Sequence, residues 1–420
     1  MKSVPISAIA DINALSVVDA SPDGEIIYAD LASVDLEAQK VTPTTLRFSE
    51  APSRARRRVL AGDSLVPYLV GNQDWDRTRP LLVMAHQQEI VFSTGFYTAS
   101  PRRVDPRFLN YVLSSKPALA FLEARSTGVT MRGFSQEVFS RTPVPDHDMK
   151  SQTQIADFLD TETARIDNLI TKKRRMIDLL GEVVARSVER VFAKRGVTLP
   201  SSVNPDEVKR MLLPEGWRII RLGATLRQLT NGYVGPTRDI LRDEGVRYVQ
   251  GLHLKGGGID FHRRPYFVDS DWHAARPRTA LRAGDVVIVQ TGDIGRCAVV
   301  PDGFGEANCH ALLIARPNRM VVSPEYLGTY LQCDFGYRSL VRVATGALHP
   351  HLEFGIRDVL LVVPPTDEQT VIWEAVKAES DRLETTISLI AKQISFLQEH
   401  RQALITAAVT GELPVPGVAV

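Results

Sequence analysis

Several features of other protein classes are scarce or missing in this sequence. It has only three cysteines, Cys297, Cys309 and Cys333, among 420 residues, too few for a closed disulfide framework, and this composition fits a reducing cytoplasm. No apolar run is long enough to span a bilayer, and the first residues lack the apolar core of a secretion signal. Lys and Arg number 50 against 49 Asp and Glu. The sequence therefore argues against a disulfide-stabilised secreted domain, a membrane protein and a globally basic nucleic-acid binder, so DNA affinity must depend on local patches or on partner subunits.

Motifs for catalysis are also missing. The chain has no Gly-x-x-x-x-Gly-Lys-Ser/Thr loop for nucleotide phosphates and no Asn/Asp-Pro-Pro-aromatic run of the kind that adenine methyltransferases carry. Cys297, Cys333 and the Cys309-His310 pair do not have the spacing of a zinc module, so we favour buried core cysteines over zinc ligands. We predict no catalytic residue and no metal site in this chain.

An internal repeat organises the chain. Residues 151–155 resemble residues 368–372 at an offset of 217, and a long helical pattern follows each of them. Both stretches come after a proline-bearing strand end, Pro143-Val144-Pro145 in the first copy and Val363-Pro364-Pro365 in the second. A repeat of this length predicts two copies of one structural unit.

Each copy contains about 40 residues of predicted helix with a narrow apolar seam. The steps along the seam alternate between three and four residues, which is typical of helices that pair along their length. The alternative is that each helix covers only its own domain, but two matching seams favour pairing. The predicted seam residues are Ile170, Ile177, Leu180, Val184, Val191, Ile387, Ile390, Ile394, Leu397 and Leu404.

The segments before the two helices correspond more loosely and are rich in short strands broken by glycine and proline. Gly62-Asp63 matches Gly284-Asp285, and residues 108–113 match residues 326–331 as a short helix. The predicted fold is therefore α+β: two similar mixed domains, each followed by a long helix, with the two helices paired as an antiparallel coiled coil. The predicted boundaries are 1–148 for the first domain, 149–195 for the first helix, 196–213 for a linker, 214–366 for the second domain, 367–411 for the second helix and 412–420 for a tail.

Taken together, these motifs resemble the specificity subunits of type I restriction–modification enzymes. Pro214-Glu215-Gly216-Trp217 resembles the opening of a target-recognition domain, residues 283–295 its glycine–aspartate strand pair, and Glu368-Gln369 and residues 403–411 the start and end of the second conserved helix. Residues 155–160 and 166–170 resemble the first conserved helix. The resemblance covers nearly the whole chain. It implies a cytoplasmic, non-catalytic subunit that recognises a two-part DNA sequence and directs adenine methylation or restriction by other subunits.

The resemblance also implies partners and cofactors. The expected partners are double-stranded DNA, two modification (methyltransferase) subunits and, in some systems, ATP-dependent restriction subunits. S-adenosylmethionine, with ATP and Mg where a restriction subunit exists, is expected in those partners and not in this chain. The alternatives are a coiled-coil scaffold that binds only protein, and a DNA methyltransferase or nuclease with an unrecognised site.

The first half departs from the family pattern in three places, one of which is that Ser64-Leu65-Val66-Pro67 follows its glycine–aspartate pair in place of the glycine-containing strand pair. The first half also lacks the Pro-Glu-Gly-Trp opening and begins near the position that matches Ile219, and Ser151 stands where the second copy has Glu368. One hypothesis is that the natural start codon lies upstream of Met1, which an intact-mass measurement of the natively expressed protein would test.

The candidate DNA contacts come from charge and glycine content. In the first half, the basic run of residues 54–58 is either a phosphate clamp or a solvated loop. In the second half, the loop of residues 231–238 either follows a DNA groove or forms an ordinary turn, and Lys255-Gly256-Gly257-Gly258 either approaches phosphate or forms a hairpin. Loops 127–132 and 345–351 occupy matching places with different residues, as differing specificity requires. The candidate DNA-binding residues are Arg54, Arg56, Arg57, Arg58, Arg132, Tyr233, Arg238, Lys255, Arg296 and His349.

Overall fold

The chain folds into two compact units. The computed structural model describes residues 2–16, 21, 23–36, 39–71, 79–128, 131–346 and 349–418, without the side chains of residues 69–71 and 131. The first unit comprises residues 1–174 and 391–420, and the second comprises residues 175–390. Residues 129–130 and 347–348 of the two candidate loops lie outside the described residues.

The first unit contains two four-stranded sheets and a set of helices. Its strands are β1 (Ser3–Pro5), β2 (Ala10–Ile12), β3 (Glu25–Ala29), β4 (Val34–Asp35), β5 (Lys40–Val41), β6 (Thr44–Arg47), β7 (Ala55–Arg57), β8 (Ser64–Pro67), β9 (Leu69–Gly71), β10 (Leu81–Leu82), β11 (Ile90–Ser93), β12 (Phe96–Pro101), β13 (Met131–Gly133) and β14 (Pro143–Pro145). Its helices are α1 (Pro106–Ser114), α2 (Lys116–Glu123), α3 (Gln136–Ser140) and the first part of α4 (Met149–Ala185).

The second unit has the same kinds of element in a similar order. It begins with the end of α4, followed by α5 (Ser187–Ala193) and α6 (Pro205–Lys209). Its strands are β15 (Arg218–Arg221), β16 (Leu226–Asn231), β17 (Leu241–Arg242), β18 (Val246–Val249), β19 (Leu254–Lys255), β20 (Gly258–Ile259), β21 (Phe267–Val268), β22 (Val286–Val289), β23 (Cys297–Val299), β24 (Ala307–Cys309), β25 (Leu312–Pro317) and β26 (Leu360–Val363). Its remaining helices are α7 (Leu222–Thr225), α8 (Ser270–Ala274), α9 (Pro324–Gln332), α10 (Asp334–Arg342) and the first part of α11 (Thr366–Val409), whose last part belongs to the first unit.

The two units share most of their sheet topology. The first sheet has the order β10-β8-β12-β2 in the first unit and β23-β22-β25-β16 in the second. In the second sheet, β6-β3-β11 of the first unit corresponds to β21-β18-β24 of the second, whereas the fourth strand lies at opposite edges, β7 beside β11 and β17 beside β21. Each second sheet has one parallel pair among the described strands, β3 with β11 in the first unit and β18 with β24 in the second. The register is the same in both, because Tyr28 lies opposite Val91 at the middle of one pair and Tyr248 lies opposite Asn308 at the middle of the other. The predicted α+β class with two similar domains, each followed by a long helix, is confirmed.

Each unit is layered, with helices on the first sheet and the first sheet on the second. In β22, Val286 and Ile288 face the helices, whereas Val287 and Val289 face the second sheet, as the two-residue alternation of a strand requires. In β8 of the first unit, Val66 belongs to the helix side and Leu65 to the side between the sheets. The outer face of the second sheet carries a smaller apolar cluster around Tyr28 in one unit and Tyr248 in the other.

The long helices supply half of the helical layer in each unit, in antiparallel pairs. In the first unit, Arg401 of α11 bonds Asp167 of α4 at 3.0 Å, and Lys173 bonds Gln393 at 2.6 Å. In the second unit, Arg190 of α5 pairs with Glu379 of α11. The buried helix residues match at the predicted offset of 217, as the pairs Ile155 and Ile372, Leu159 and Val376, Val188 and Ile405, Val191 and Ala408, and Phe192 and Val409 demonstrate.

None of the predicted seam residues is exposed. Ile170, Val191, Ile390 and Ile394 are buried, and the others are half-buried. The half-buried seam residues are Ile177, Leu180, Val184, Ile387, Leu397 and Leu404. Four consecutive basic residues, 172–175, also lie on α4. All of them except Lys173 are exposed, which agrees with a helix face in contact with solvent.

Two details of the predicted helices and linker need correction. The first helix is not continuous, because Arg186 leaves the helical conformation between α4 and α5. Before the break, α4 is buried only along its narrow seam. After the break, α5 is buried more extensively, through Ser187, Val188 and Phe192. The predicted linker, residues 196–213, is also not separate from the second unit, because α6 forms within it and buries Val208 in the core of that unit.

A glutamine at the start of each long helix fixes the same junction in both units. The Gln152 side chain accepts from the backbone N–H of Asp105, the N-cap of α1, and donates to the carbonyl of His147. The Gln369 side chain accepts from the N–H of Ser323, the N-cap of α9, and donates to the carbonyls of Val321 and Pro364. This amide joins a long helix to a short helix, because it satisfies buried backbone groups that have no partner within secondary structure.

Candidate nucleic-acid interface

A glycine–aspartate turn opens the central strand of the first sheet in each unit. Gly62 and Gly284 have φ angles of +91° and +83°, a conformation that favours glycine. The carboxylate of Asp63 accepts from the N–H of Leu60, and that of Asp285 from the N–H of Arg282, both at 2.9 Å. Burial raises the pKa of both carboxyls, although these hydrogen bonds oppose the shift. The turn therefore has a structural role, and residue positions in the two domains can be compared by counting from it.

The basic run of the first unit does not form one patch. Ala55–Arg57 is strand β7, so Arg56 is exposed whereas Arg57 turns toward the domain and donates to the carbonyl of Phe96 at 3.2 Å. Burial lowers the pKa of Arg57. Arg54 lies on the outer face of the second sheet, where Nε donates to the Tyr28 hydroxyl at 3.2 Å and Nη2 to Asp30 at 3.0 Å. Arg58 is exposed. The run thus offers three exposed arginines in place of four.

The matching surface of the second unit contains an arginine that our sequence analysis missed. Arg276 lies eight positions before Gly284, as Arg54 lies eight positions before Gly62. Its guanidinium carbon stands 4.2 Å from the ring centroid of Trp272 and 5.6 Å from that of Tyr233. Counting back from the glycine–aspartate turn would have identified it, but the offset there is 222 instead of the 217 found between the helices.

The predicted contact Tyr233 belongs to this same cluster. Its ring packs edge-on against Trp272 at 5.2 Å, and Trp272 packs edge-on against Tyr248 at 5.6 Å. The Tyr248 hydroxyl lies 3.3 Å from Nδ1 of His310, and burial lowers the pKa of His310. The loop of residues 231–238 is therefore packed on the domain through Tyr233, while Arg238 remains exposed.

The two candidate loops are closed in the same way. Thr127 and Gly133 exchange two backbone hydrogen bonds, and so do Thr345 and His351. Arg132 in the first loop donates to the carbonyl of Glu123 at 2.9 Å and lies 3.6 Å from its carboxylate. His349 in the second loop is exposed. The loops thus keep one backbone frame and present different side chains.

The remaining candidates of the second unit lie along one edge. Arg296 pairs with Asp293 at 2.7 Å and donates to the carbonyl of Leu254, next to Lys255. Thr291 bonds His351 at 2.7 Å, so the strand-pair loop adjoins the loop that carries His349. The structure therefore places Arg296 beside the residue that precedes Lys255, and Thr291 beside His351.

The glycine-rich segment forms a tight hairpin. Strands β19 and β20 flank Gly256 and Gly257, which have φ angles of +54° and +81°, as a two-residue hairpin turn requires. The glycines line a cleft of about 560 Å³ that also contains Glu325, Asp381 and Glu384. Because this carboxylate-rich wall repels phosphate, the hairpin and not a phosphate cradle is the interpretation that the geometry supports.

Metal and membrane features are not found in the described part of the chain. The residues with described positions form no group of three His, Cys, Asp or Glu side chains that could hold a metal. Cys297, Cys309 and Cys333 are all buried, and burial raises the pKa of Cys297 to about 12. Among the described helices, none combines the length and apolar character that a membrane crossing needs.

Comparisons with known proteins point to one family. No family model matches the sequence. Over 308 residues the chain is 23% identical to the type I restriction enzyme EcoBI specificity subunit of Escherichia coli, a match that covers 70% of this chain. The chain spans 63% of the length of that curated relative.

The fold comparison covers almost the whole chain. A solved chain described under "Structural basis underlying complex assembly and conformational transition of the type I R-M system" matches with a TM-score of 0.71 and 19% identity, over 98% of each chain. The HsdS subunit from Thermoanaerobacter tengcongensis aligns with a TM-score of 0.48 and 19% identity, over 98% of this chain and 97% of that one. The resemblance predicted from the motifs is confirmed: this chain has the fold of a type I restriction–modification chain and resembles type I specificity subunits in sequence.

Proposed function

We propose that this protein is the DNA-recognition subunit of a type I restriction–modification complex. It would recognise a bipartite DNA sequence and direct adenine methylation, and restriction where the system cleaves, by partner subunits. The observation that carries the proposal is the duplication itself: two units of largely the same topology keep the same anchors and differ in their surface side chains. Gln152 and Gln369 are the same residue with the same kind of bonds, whereas Arg132 and His349 stand in matching loops with different chemistry.

Two similar units with different surfaces suit a two-part target. Sequence is recognised by side chains at base edges, and one small domain reaches only a few base pairs. Two such domains in one chain can recognise two short blocks that differ in sequence. The two copies also offer similar surfaces to two identical partners, which supports two methyltransferase subunits in the complex.

The chemistry is proposed to belong to the partners. Neither the sequence nor the described residues present a nucleotide-phosphate loop, a methyltransferase motif or a metal cluster. We therefore propose that S-adenosylmethionine, and ATP with Mg where a restriction subunit exists, bind to other subunits in the cytoplasm. The three cysteines are free and buried, which supports a reducing compartment.

Base-resolution mapping of N6-methyladenine tests the proposal. Methylation is mapped in cells with the gene intact, deleted and restored from a plasmid. We expect one bipartite motif to vanish on deletion and to return on restoration. An unchanged methylation pattern on deletion would refute the proposal. Modification of DNA by the purified chain alone, supplied with S-adenosylmethionine or Mg, would favour the enzyme alternative.

A scaffold that binds only protein would give a different result. Footprinting on DNA that carries the mapped motif, with methyltransferase subunits present, should protect both blocks in the presence of this chain. Absence of sequence-selective protection, even with the methyltransferase subunits supplied, would support the scaffold interpretation.

A further inference from the structure

We propose that Arg54 and Arg276 are equivalent base-reading residues, each of which recognises a guanine in one block of the DNA target. The inference rests on the proposed function, and it assigns a specificity residue to each domain. Arg276 lies outside every motif by which the sequence was interpreted, and its equivalence to Arg54 emerges only when the two units are compared.

Three observations support the equivalence. Each arginine lies eight residues before the glycine of the glycine–aspartate turn. Each lies after the strand that borders the parallel pair, β6 or β21, and before the strand that the glycine–aspartate turn opens, β8 or β22, with β7 directly after Arg54 and α8 directly before Arg276. Each is followed after one residue by a second exposed arginine, Arg56 or Arg278.

The two guanidinium groups are also linked to matching tyrosines, directly in the first unit and through the Trp272 ring in the second. Tyr28 and Tyr248 occupy the same register of the parallel strand pair, and both emerge on the outer face of the second sheet. Arg54 donates to the Tyr28 hydroxyl. Burial raises the pKa of Tyr248 and the positive charge of Arg276 opposes that shift, as expected for a guanidinium near the hydroxyl.

Both arginines are held in place and still have donors to offer. An arginine has five N–H donors in a planar fork. Arg54 uses one on Tyr28 and one on Asp30, and Arg276 uses one on the carbonyl of Trp272 while its plane packs on the indole. Within the described structure, at least three N–H groups of each guanidinium have no protein acceptor, enough for the paired bonds to O6 and N7 of guanine.

The surroundings favour a base edge over a phosphate. Asp30 neutralises much of the charge of Arg54, and its side chain is 26% exposed against 57% for the arginine. A guanidinium whose charge is paired with a carboxylate attracts a phosphate only weakly. Because its orientation is fixed, it still has the geometry that guanine recognition needs. Trp272 and Tyr233 orient Arg276 without neutralising it, and both rings are half-buried.

Methylation mapping with four single variants of the full-length chain, expressed with its partner subunits, tests the inference. The variants are Arg54→Gln, Arg54→Lys, Arg276→Gln and Arg276→Lys. We expect the Arg54 variants to relax one guanine position in one block and to leave the other block unchanged, with the reverse for Arg276. Preference for guanine at that position should fall about 5- to 100-fold. The lysine variants should also lose part of this preference, because a flexible ammonium group lacks the planar guanidinium that the neighbouring side chains hold in one orientation.

Other outcomes would overturn the inference. A uniform loss of methylation with an unchanged motif, restored by lysine, would identify a phosphate contact. Both sets of variants acting on the same block, or an unchanged motif at unchanged rate, would reject the assignment. If gene deletion itself leaves methylation unchanged, the proposed function fails and not only this assignment.

The unaffected block serves as the folding control in each variant. If Arg276→Gln abolishes methylation altogether, the inference is tested by mapping methylation in Arg276→Met. Methionine keeps an apolar contact with Trp272 but has no side-chain N–H donor. Relaxation of one position by Arg276→Met supports the inference, and an unchanged motif refutes it.

Discussion

At the scale of single residues, two of the three departures of the first repeat have one structural cause. In the second unit the Trp217 indole N–H donates to Glu368 at 3.2 Å. The first half has neither partner, since it lacks the Pro-Glu-Gly-Trp opening and has Ser151 in place of the glutamate. Losing both partners of a hydrogen bond costs little compared with losing one. The shared element of the junction is instead the glutamine next to this position.

Replacing Gln369 by leucine should destabilise the second unit by roughly 2–5 kcal/mol. The change leaves the N–H of Ser323 and the carbonyls of Val321 and Pro364 without their partner, and each buried unsatisfied group costs about 1–3 kcal/mol. Urea unfolding measures the loss. Val371→Ala is the matched control, since that side chain on the same turn is 53% exposed. A change below 1 kcal/mol for Gln369→Leu would contradict this role.

Stability of the second unit should fall as the pH decreases below about 6.5, the ordinary pKa of histidine. Nδ1 of His253 accepts from the N–H of Gln250 and Nε2 lies 2.8 Å from the carbonyl of Arg264, so the folded ring is neutral. Burial lowers its pKa, against the opposing effects of Arg264 and Asp260. A lowered folded pKa means that this stabilisation is complete above the unfolded pKa and is lost as pH falls through the folded pKa.

Urea midpoints at pH values from 8 to 5 measure this effect. His253→Gln should flatten the dependence, and the neighbouring exposed His262→Gln should retain it. Part of the slope should persist in His253→Gln because burial also lowers the pKa of His310. An equal slope in wild type and His253→Gln would refute the assignment to His253.

At the scale of elements, the apolar seam determines how the long helices pack against each other. Its apolar residues alternate with polar positions that pair across the helices, as Arg401 does with Asp167. The sequence predicted this spacing without predicting the partners, because a heptad pattern states which face is apolar but not what covers it. The break at Arg186 was also missed, since it depends on the domain against which α5 packs.

Ile394→Ala should destabilise the first unit by about 2–4 kcal/mol, the usual cost of removing a large buried aliphatic side chain. Ile394 is 8% exposed on the seam of α11, whereas Phe396, two residues further along, is 67% exposed. Phe396→Ala therefore serves as the control and should change the free energy of unfolding by less than 1 kcal/mol. Similar effects of the two substitutions would show that the seam does not hold the helices together.

At the scale of the whole molecule, each unit contains parts of both repeats. The core of the first unit is closed by Ile405, Ala408 and Val409, which pack with Ile155 and Leu159. The second unit is closed in the same way by Val188, Val191 and Phe192 against Ile372 and Val376. The two sequence repeats therefore do not fold as two independent domains. The end of the long helix of each repeat packs in the core of the unit that contains the globular part of the other repeat.

Deleting residues 391–420 should unfold the first unit and leave the second folded. The deletion removes the helix end that closes the first core, whereas residues 175–390 contain the second unit without a gap. Cys297, Cys309 and Cys333 all lie buried in the second unit, so their reaction with a thiol reagent reports on that unit alone. In the truncated chain we expect the three thiols to stay protected, while hydrogen exchange across residues 80–125 becomes fast. Rapid reaction of the thiols would contradict the expected independence.

The sequence by itself determined the duplication, the class of fold, the position of the long helices and their seams, because these depend on local periodicity and on similarity at a fixed offset. Only the tertiary structure decided which charges share a surface. Arg57 turned inward, Arg132 and Arg296 acquired carboxylate partners, and Arg276 joined Tyr233 beside the buried Tyr248. The physical reason is that side-chain exposure and pairing depend on contacts between segments far apart in the chain, which no local pattern of residues encodes.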